Sequence, residues 1–516
     1  MQTSTAVKKP FSAWFQDIMP SGTGALFTIQ IFSTIGFSVL YSTLILYATK
    51  GLKIEDTFAT SLTGSFIALN YFLHLLGGYI GGRYLSYRSL FAVGMFAQII
   101  GCLFISYPSV DALTWGLAFF LGGTGLNVTC INCMVMQLFE PEDKRREAAF
   151  LWNYSGMNLG FFLGFSISGY FHNQQAYQTL FLLSAIGNII ALLLVAFNWK
   201  ILKDRDTTLM DKANDSKIKL RWMGISMVLA LIFANRIALL HSNFSNQLMM
   251  LIAVCMFILI TTLAFRQHHT LARNKMVAYV ILAISSIIFW TLYQLAPMGL
   301  NLFIERNVDR HFLGILIAPQ WIQNINTIVI IIGGPLLSIV FARLRERGMN
   351  INIPLQFSLA LCLIGIAYVI LPLGIQFADP NGYTAFSWVF VSYLLQSIGE
   401  LFISPIGYAM VGQLAPIKLR GLMMGIWMMI TGIAAIFSDY FSKLALGTTG
   451  LADPLSTNAS YSQTFNFLGW SSIIAAIILL ALTSFVSKLT KERADKQMDM
   501  QDQLNKLEPK PVTELR

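Results

Sequence analysis

Fourteen apolar runs, each about twenty residues long, constrain this chain more than any motif, because a helix of that length is what crosses the hydrocarbon core of a bilayer. They fall near 24–48, 58–82, 89–107, 112–138, 147–171, 176–199, 221–240, 246–265, 277–304, 314–342, 353–375, 383–412, 421–446 and 465–487, separated by polar or Pro/Gly-marked breaks. Of 516 residues, 55% are hydrophobic and only 12% charged, against roughly 25% charged in an average soluble domain. Inside lipid every backbone N–H and C=O must be satisfied within the protein, so runs of this kind become helices. The expected fold class is an all-α polytopic membrane protein.

Charge placement orients it, since Lys and Arg accumulate in cytoplasmic loops. Lys8 and Lys9, Arg83 and Arg88, Lys144 to Arg146, Lys200 to Arg221, Arg266 to Lys275, Arg343 to Arg347, Lys418 and Arg420, and Lys488 onward all fall on one side of the fourteen spans. The other side holds Lys50, Lys53, Arg306 and Arg310. Both termini are therefore expected in the cytoplasm. The net charge of +10 reads as a topology signal spread over short loops, and no nucleic-acid partner is expected. Residues 1–23 lack the apolar core of a signal peptide, which leaves the first helix as its own insertion signal. All five cysteines lie in expected spans, and Cys130-Ile-Asn-Cys133, with no second pair and no nearby His, reads as packing.

The expected organisation is a cytoplasmic N-terminus (1–23), a six-helix bundle (24–199), a solvated cytoplasmic linker (200–220), two additional helices (221–265), a second six-helix bundle (276–487) and a cytoplasmic tail (488–516) read as a frayed helix. The halves echo one another: Gly77-Gly78 precedes Arg83 and Arg88, and Gly333-Gly334-Pro335 precedes Arg343 to Arg347. Paired six-helix halves are the mark of a rocking transporter, with its site at their interface. Arg236 lies in an apolar run and is expected to snorkel or pair with a neighbour.

Glu400 is the chemical feature of the chain. It sits mid-run in Gln396-Ser-Ile-Gly-Glu400-Leu-Phe-Ile-Ser404-Pro405, where an unpaired carboxylate costs several kcal/mol and so marks a functional site. No phosphate-binding loop, soluble catalytic domain or metal-ligand cluster is visible, so neither an ATP-driven pump nor an enzyme is expected, and no cofactor. His172, His241, His268, His269 and His311 are scattered; His74 alone lies in a span and reads as a helix-packing donor. Asp439 and Lys443, four apart near the end of a helix, are spaced for a local ion pair. Asn458-Ala459-Ser460 fits a glycosylation pattern.

Several segments resemble the proton-coupled oligopeptide transporters of the major facilitator superfamily. Gly399-Glu400-Leu401 with Ser404-Pro405, Leu414-Ala415-Pro416, and Met423-Met424-Gly425-Ile426-Trp427 are similar to that family's tenth and eleventh helices. Phe289-Trp290 with Leu300-Asn301-Leu302-Phe303 resembles the seventh, and Gln323-Asn324-Ile325-Asn326 with Pro335 the eighth. Gly123-Thr124-Gly125, Phe139-Glu140-Pro141-Glu142, and Asn153-Tyr154 leading to Asn158-Leu159-Gly160 resemble the fourth and fifth. The resemblance implies a major facilitator fold of two six-helix bundles plus two central helices, in a monomer of the inner membrane. It also implies proton-driven alternating access for di- and tripeptides.

The departures fall on charged positions. The family's first-helix Glu-x-x-Glu-Arg motif corresponds to Gln30, Ser33 and Thr34; a further arginine falls at Tyr41, the fourth-helix lysine at Val128, the acid after the seventh-helix tryptophan at Gln294, and the superfamily's loop aspartate at Gly82. Charges of both signs are gone together. A zwitterionic peptide would miss two basic partners, each charge-assisted hydrogen bond being worth roughly 1.5 to 3 kcal/mol. Glu400 remains to hold an amine or carry the proton. Tyr41, Tyr71, Asn158, Asn326, Gln294, Ser404, Trp290 and Trp427 are the expected lining, suited to a polar, weakly charged ligand or to a cation against aromatic faces. The readings that stay open are peptide or peptide-like transport, import or export of another metabolite such as a siderophore, and a non-transporting receptor or scaffold.

Overall fold

The computed structural model describes residues 22–507 apart from 141, 142, 144, 206, 268, 313, 349, 350, 417, 418 and 448–452. Of the features above, Lys8, Lys9, Pro141, Glu142, Lys144, His268 and Lys418 lie outside the described residues, as do the first 21 and last nine positions.

Fourteen helices of 20 residues or more are described. In chain order, the first half holds α1 (Thr23–Leu46, extended by a π turn Tyr47–Gly51), α2 (Asp56–Ile80), α3 (Tyr87–Ser106), α4 (Val110–Gln137), α5 (Arg145–Asn173) and α6 (Tyr177–Phe197). The central pair is α7 (Asn214–Leu240) and α8 (Ser242–Phe265). The second half holds α9 (Thr270–Tyr293), the short α10 (Gly299–Asn307), α11 (Pro319–Glu346), α12 (Ile353–Gln376), α13 (Phe386–Leu414), α14 (Arg420–Leu446) and α15 (Pro454–Leu507). Side-chain caps fix three starts: Ser86 accepts from Ser89 N at 3.3 Å, Ser109 from Ala112 N at 3.1 Å, and Asn352 from Leu355 N at 3.1 Å. Each satisfies a backbone donor that the helix itself leaves open.

Twelve of these helices are long and apolar enough to span a membrane by themselves, so the protein is a multi-pass membrane protein. The two absent from that set, α2 and α5, are the ones whose polar faces line the central cavity described below. Each six-helix half packs on itself, and the halves meet chiefly where α2 lies on α14 and α5 on α11. The central pair straddles that division, α7 against α4 and α8 against α9 and α14. Arg236 on α7 finds its neighbour: it lies 2.5 Å from Asp111 and 4.3 Å over the ring of Trp115.

Three expectations change. The run 277–304 is broken: α9 stops at Tyr293 and α10 starts at Gly299, because Pro297 lacks the N–H a continuous helix needs. Gly299 sits where Ser442 approaches, its N–H donating to Ser442 Oγ at 3.0 Å, and a Cβ there would meet that oxygen at 2.7 Å. The stretch 200–220 is solvated only in part, with residues 210–216 exposed and its first half pinned to the protein. Leu202, Asp204 and Leu209 are buried, Leu209 N–H donates to Gly82 O at 2.9 Å, and both Asp204 oxygens accept from Tyr87 N at 3.1 Å. An acidic side chain is thus placed at the positive N-terminal end of α3, where the helix dipole favours it. Finally, the tail is continuous with the last span, α15 running from Pro454 to Leu507.

Candidate functional site

Between the halves lies a cavity of about 290 Å³. One face of the molecule closes it off. There Glu305 on α10 is paired with Lys50 at the end of α1, with Arg310 at 3.2 Å and with His172 of α5 at 3.1 Å, while Arg306 reaches Asp56 at the start of α2 at 2.8 Å. Tyr177 holds the other nitrogen of His172 at 2.9 Å. Burial would push the Glu305 carboxyl up, but the His172 hydrogen bond and the charges of Arg310 and Lys50 outweigh it and hold it at about 2. On the same face α5 and α11 touch closely: a Cβ at Gly169 would overlap the Trp321 ring, and Trp321 Nε1 donates to Ser166 O at 2.9 Å. Toward the basic loops Leu151 and Trp152 of α5 and Leu336 and Ile339 of α11 are exposed.

Eight of the nine residues expected in the lining are there: Glu400 and Ser404 from α13, Trp290 from α9, Asn326 from α11, Trp427 from α14, Asn158 from α5, Tyr71 from α2 and Tyr41 from α1. Gln294 is not. It is 1% exposed and accepts the Tyr41 hydroxyl at 2.9 Å, holding that phenol in place from behind. Glu400 is 7% exposed, accepts from Asn326 Nδ2 at 2.6 Å, and has the Tyr293 phenol as a second hydrogen-bonding neighbour. Among the described lining residues it is the only carboxylate, and no Lys or Arg lines the cavity.

Five of the seven positions where the family's charges are missing face this same space, Gln294 and Gly82 being the exceptions. Gln30, Ser33, Thr34, Tyr41 and Val128 all line it. Gln30 donates to Thr34 at 2.9 Å and accepts from Asn153 at 3.2 Å, so a neutral network joins α1 to α5. Tyr293, Tyr393, Asn70 and Asn127 also line the cavity and were not singled out from the sequence, and His74, read there as a packing donor, lines it too. Helical spacing carried part of that signal: Tyr293 is three residues after Trp290 and His74 three after Tyr71, hence on the same faces. The Asp439–Lys443 pair forms at 2.9 Å, with Asn246 of α8 donating to Asp439 at 3.4 Å, outside the cavity lining. Among the described residues no three His, Cys, Asp or Glu side chains come together as a metal site.

A family model described as the POT family matches residues 87–453. A dipeptide and tripeptide permease A of Cronobacter turicensis is 30% identical over 503 residues, 96% of this chain and 99% of that protein. Its counterpart from Salmonella typhimurium is 30% identical over 495 residues, 95% of this chain and 97% of that one. The crystal structure of a POT family transporter in complex with 5-aminolevulinic acid superposes with a TM-score of 0.78 at 24% identity, over 90% of this chain and 97% of the other.

Proposed function

The chain belongs to the POT family, and from that premise we propose that it carries di- and tripeptides, or molecules built like them, across the inner membrane by alternating access, with Glu400 as the proton-linked site. One observation carries the reading: a buried carboxylate, held by two neutral hydrogen-bonding groups, faces a cavity that offers it no Lys or Arg among the described residues. An uncompensated charge at low dielectric is expensive. Either a proton or the ammonium of a cargo relieves it, which is the exchange a coupled transporter needs. Trp290, Trp427 and the phenols of Tyr41, Tyr71 and Tyr293 supply flat faces and hydroxyls beside that charge, suited to an ammonium group and a peptide backbone.

The basic loops are read as cytoplasmic, with both termini on that side. The face sealed by Glu305, Arg306 and Arg310 is then external, and the form described is closed outside. A receptor or scaffold without cargo would have no use for an open cavity around an intact Glu400. The lack of Lys and Arg among the described lining residues favours a second cargo class, amines without a carboxylate. Purified protein titrated with trialanine tests the reading. Ligand at 100 times its dissociation constant should raise stability by about 2.7 kcal/mol, and Glu400→Gln should abolish the rise. Unaltered melting across peptides in the wild type would sink it.

A further inference from the structure

The cavity holds a second titratable side chain that the transport reading leaves idle. His74 on α2 is 6% exposed, and its ring stacks on Tyr71 with centroids 5.6 Å apart and planes at 24°. Its Nδ1 lies 2.5 Å from the Asn70 carbonyl oxygen, which can only accept, so Nδ1 carries the proton of the neutral ring. Nε2 presents its lone pair, the ring lines the cavity, and among the described residues no hydrogen bond reaches that nitrogen. Tyr41 and Tyr293 lie within electrostatic reach of both Tyr71 and Glu400. The titratable groups facing the space with His74 are Tyr71 on its own helix, Tyr41 on α1, Tyr154 on α5, Tyr293 on α9, and Tyr393 and Glu400 on α13. What α4 and α14 bring to the cavity beside α2 is uncharged, Thr124, Asn127 and Val128 from one and Trp427, Met428 and Thr431 from the other.

We propose that His74 anchors the carboxylate end of a zwitterionic cargo, taking up a proton as the carboxylate arrives, while Glu400 holds the ammonium end. The inference rests on the peptide-type reading above and names the partner for the end of the cargo that the reading leaves open. A neutral His74 turns a lone pair toward an incoming carboxylate, which repels it. One proton from the cavity water converts Nε2 into a charge-assisted donor. The charges then close: Glu400 and the cargo carboxylate are negative, the cargo ammonium and His74 positive. Without that proton the loaded cavity keeps one uncompensated negative charge. Since the family's basic positions fall at Tyr41 and Val128, His74 is the one basic side chain in the described lining able to do this.

The test compares trialanine with its C-terminal amide on the purified full-length protein, in wild type, His74→Gln and His74→Arg, at about pH 6 and about pH 8. Wild type should bind the acid more tightly at the lower pH. His74→Gln should weaken the acid by about tenfold or more and leave the amide unchanged. His74→Arg should restore acid binding and flatten its pH dependence. An amide that binds the wild type as tightly as the acid, or a His74→Gln variant that weakens both alike, would overturn the inference while leaving peptide binding in place. Failure of both ligands to bind the wild type would overturn the inference together with the reading beneath it.

Discussion

Glu400 shows how far a single residue can be read from sequence. A carboxylate inside an apolar run is conspicuous because its burial is costly, and that cost points to a site before any geometry is known. Its partners are less visible. Asn326 lies 74 positions away on another helix and is ordinary in type, while Gln294 looks like a lining residue but sits behind Tyr41, at the C-terminal end of α9. The Asn326–Glu400 bond should be worth about 1.5 to 3 kcal/mol when the acceptor is charged. Asn326→Leu is accordingly expected to lower stability by that order, and the same change made on Glu400→Gln to cost less. A double-mutant cycle by thermal or chemical unfolding measures the difference, and strictly additive effects would rule out the coupling.

At the scale of elements, the spans were legible because about twenty apolar residues leave few alternatives, and Ser86, Ser109 and Asn352 mark starts that their side chains cap. The docking of residues 200–213 was not legible, since a polar, basic stretch reads as solvated until a partner such as the Tyr87 N–H is in place. Asp204→Ala should remove that cap on α3 and lower stability by about 1 kcal/mol, seen as a drop in melting temperature with binding retained. The ion cluster around Glu305 makes a sharper prediction. Its carboxyl lies below the ordinary 4.5, at about 2, so its contribution to closure is fully present above about 4.5 and disappears as pH falls through about 2. Closure of that face should therefore persist at pH near 5. Glu305→Ala leaves Lys50, Arg310 and His172 without their common partner and should cost the closed form about 3 kcal/mol. Spin labels placed on the ends of α1 and α11 would report the shift as a longer distance distribution, and an unchanged distribution would remove the cluster from any gating role.

For the whole molecule, two six-helix halves and a straddling pair place one acid, among the described lining residues, in the cavity between the halves. The fold followed from the resemblance and the span count; the neutral network at Gln30, Thr34 and Asn153 did not, because its meaning depends on which helices meet. That network and the absence of Lys and Arg from the described lining support the proposal that proton linkage rests on Glu400. The measurement that tests this most directly is uptake of labelled dialanine into proteoliposomes under an imposed pH gradient, acidic outside, for wild type and Glu400→Gln. The expected result is concentrative uptake by the wild type, with the variant unable to accumulate the peptide. Accumulation by Glu400→Gln at the wild-type level would contradict the account.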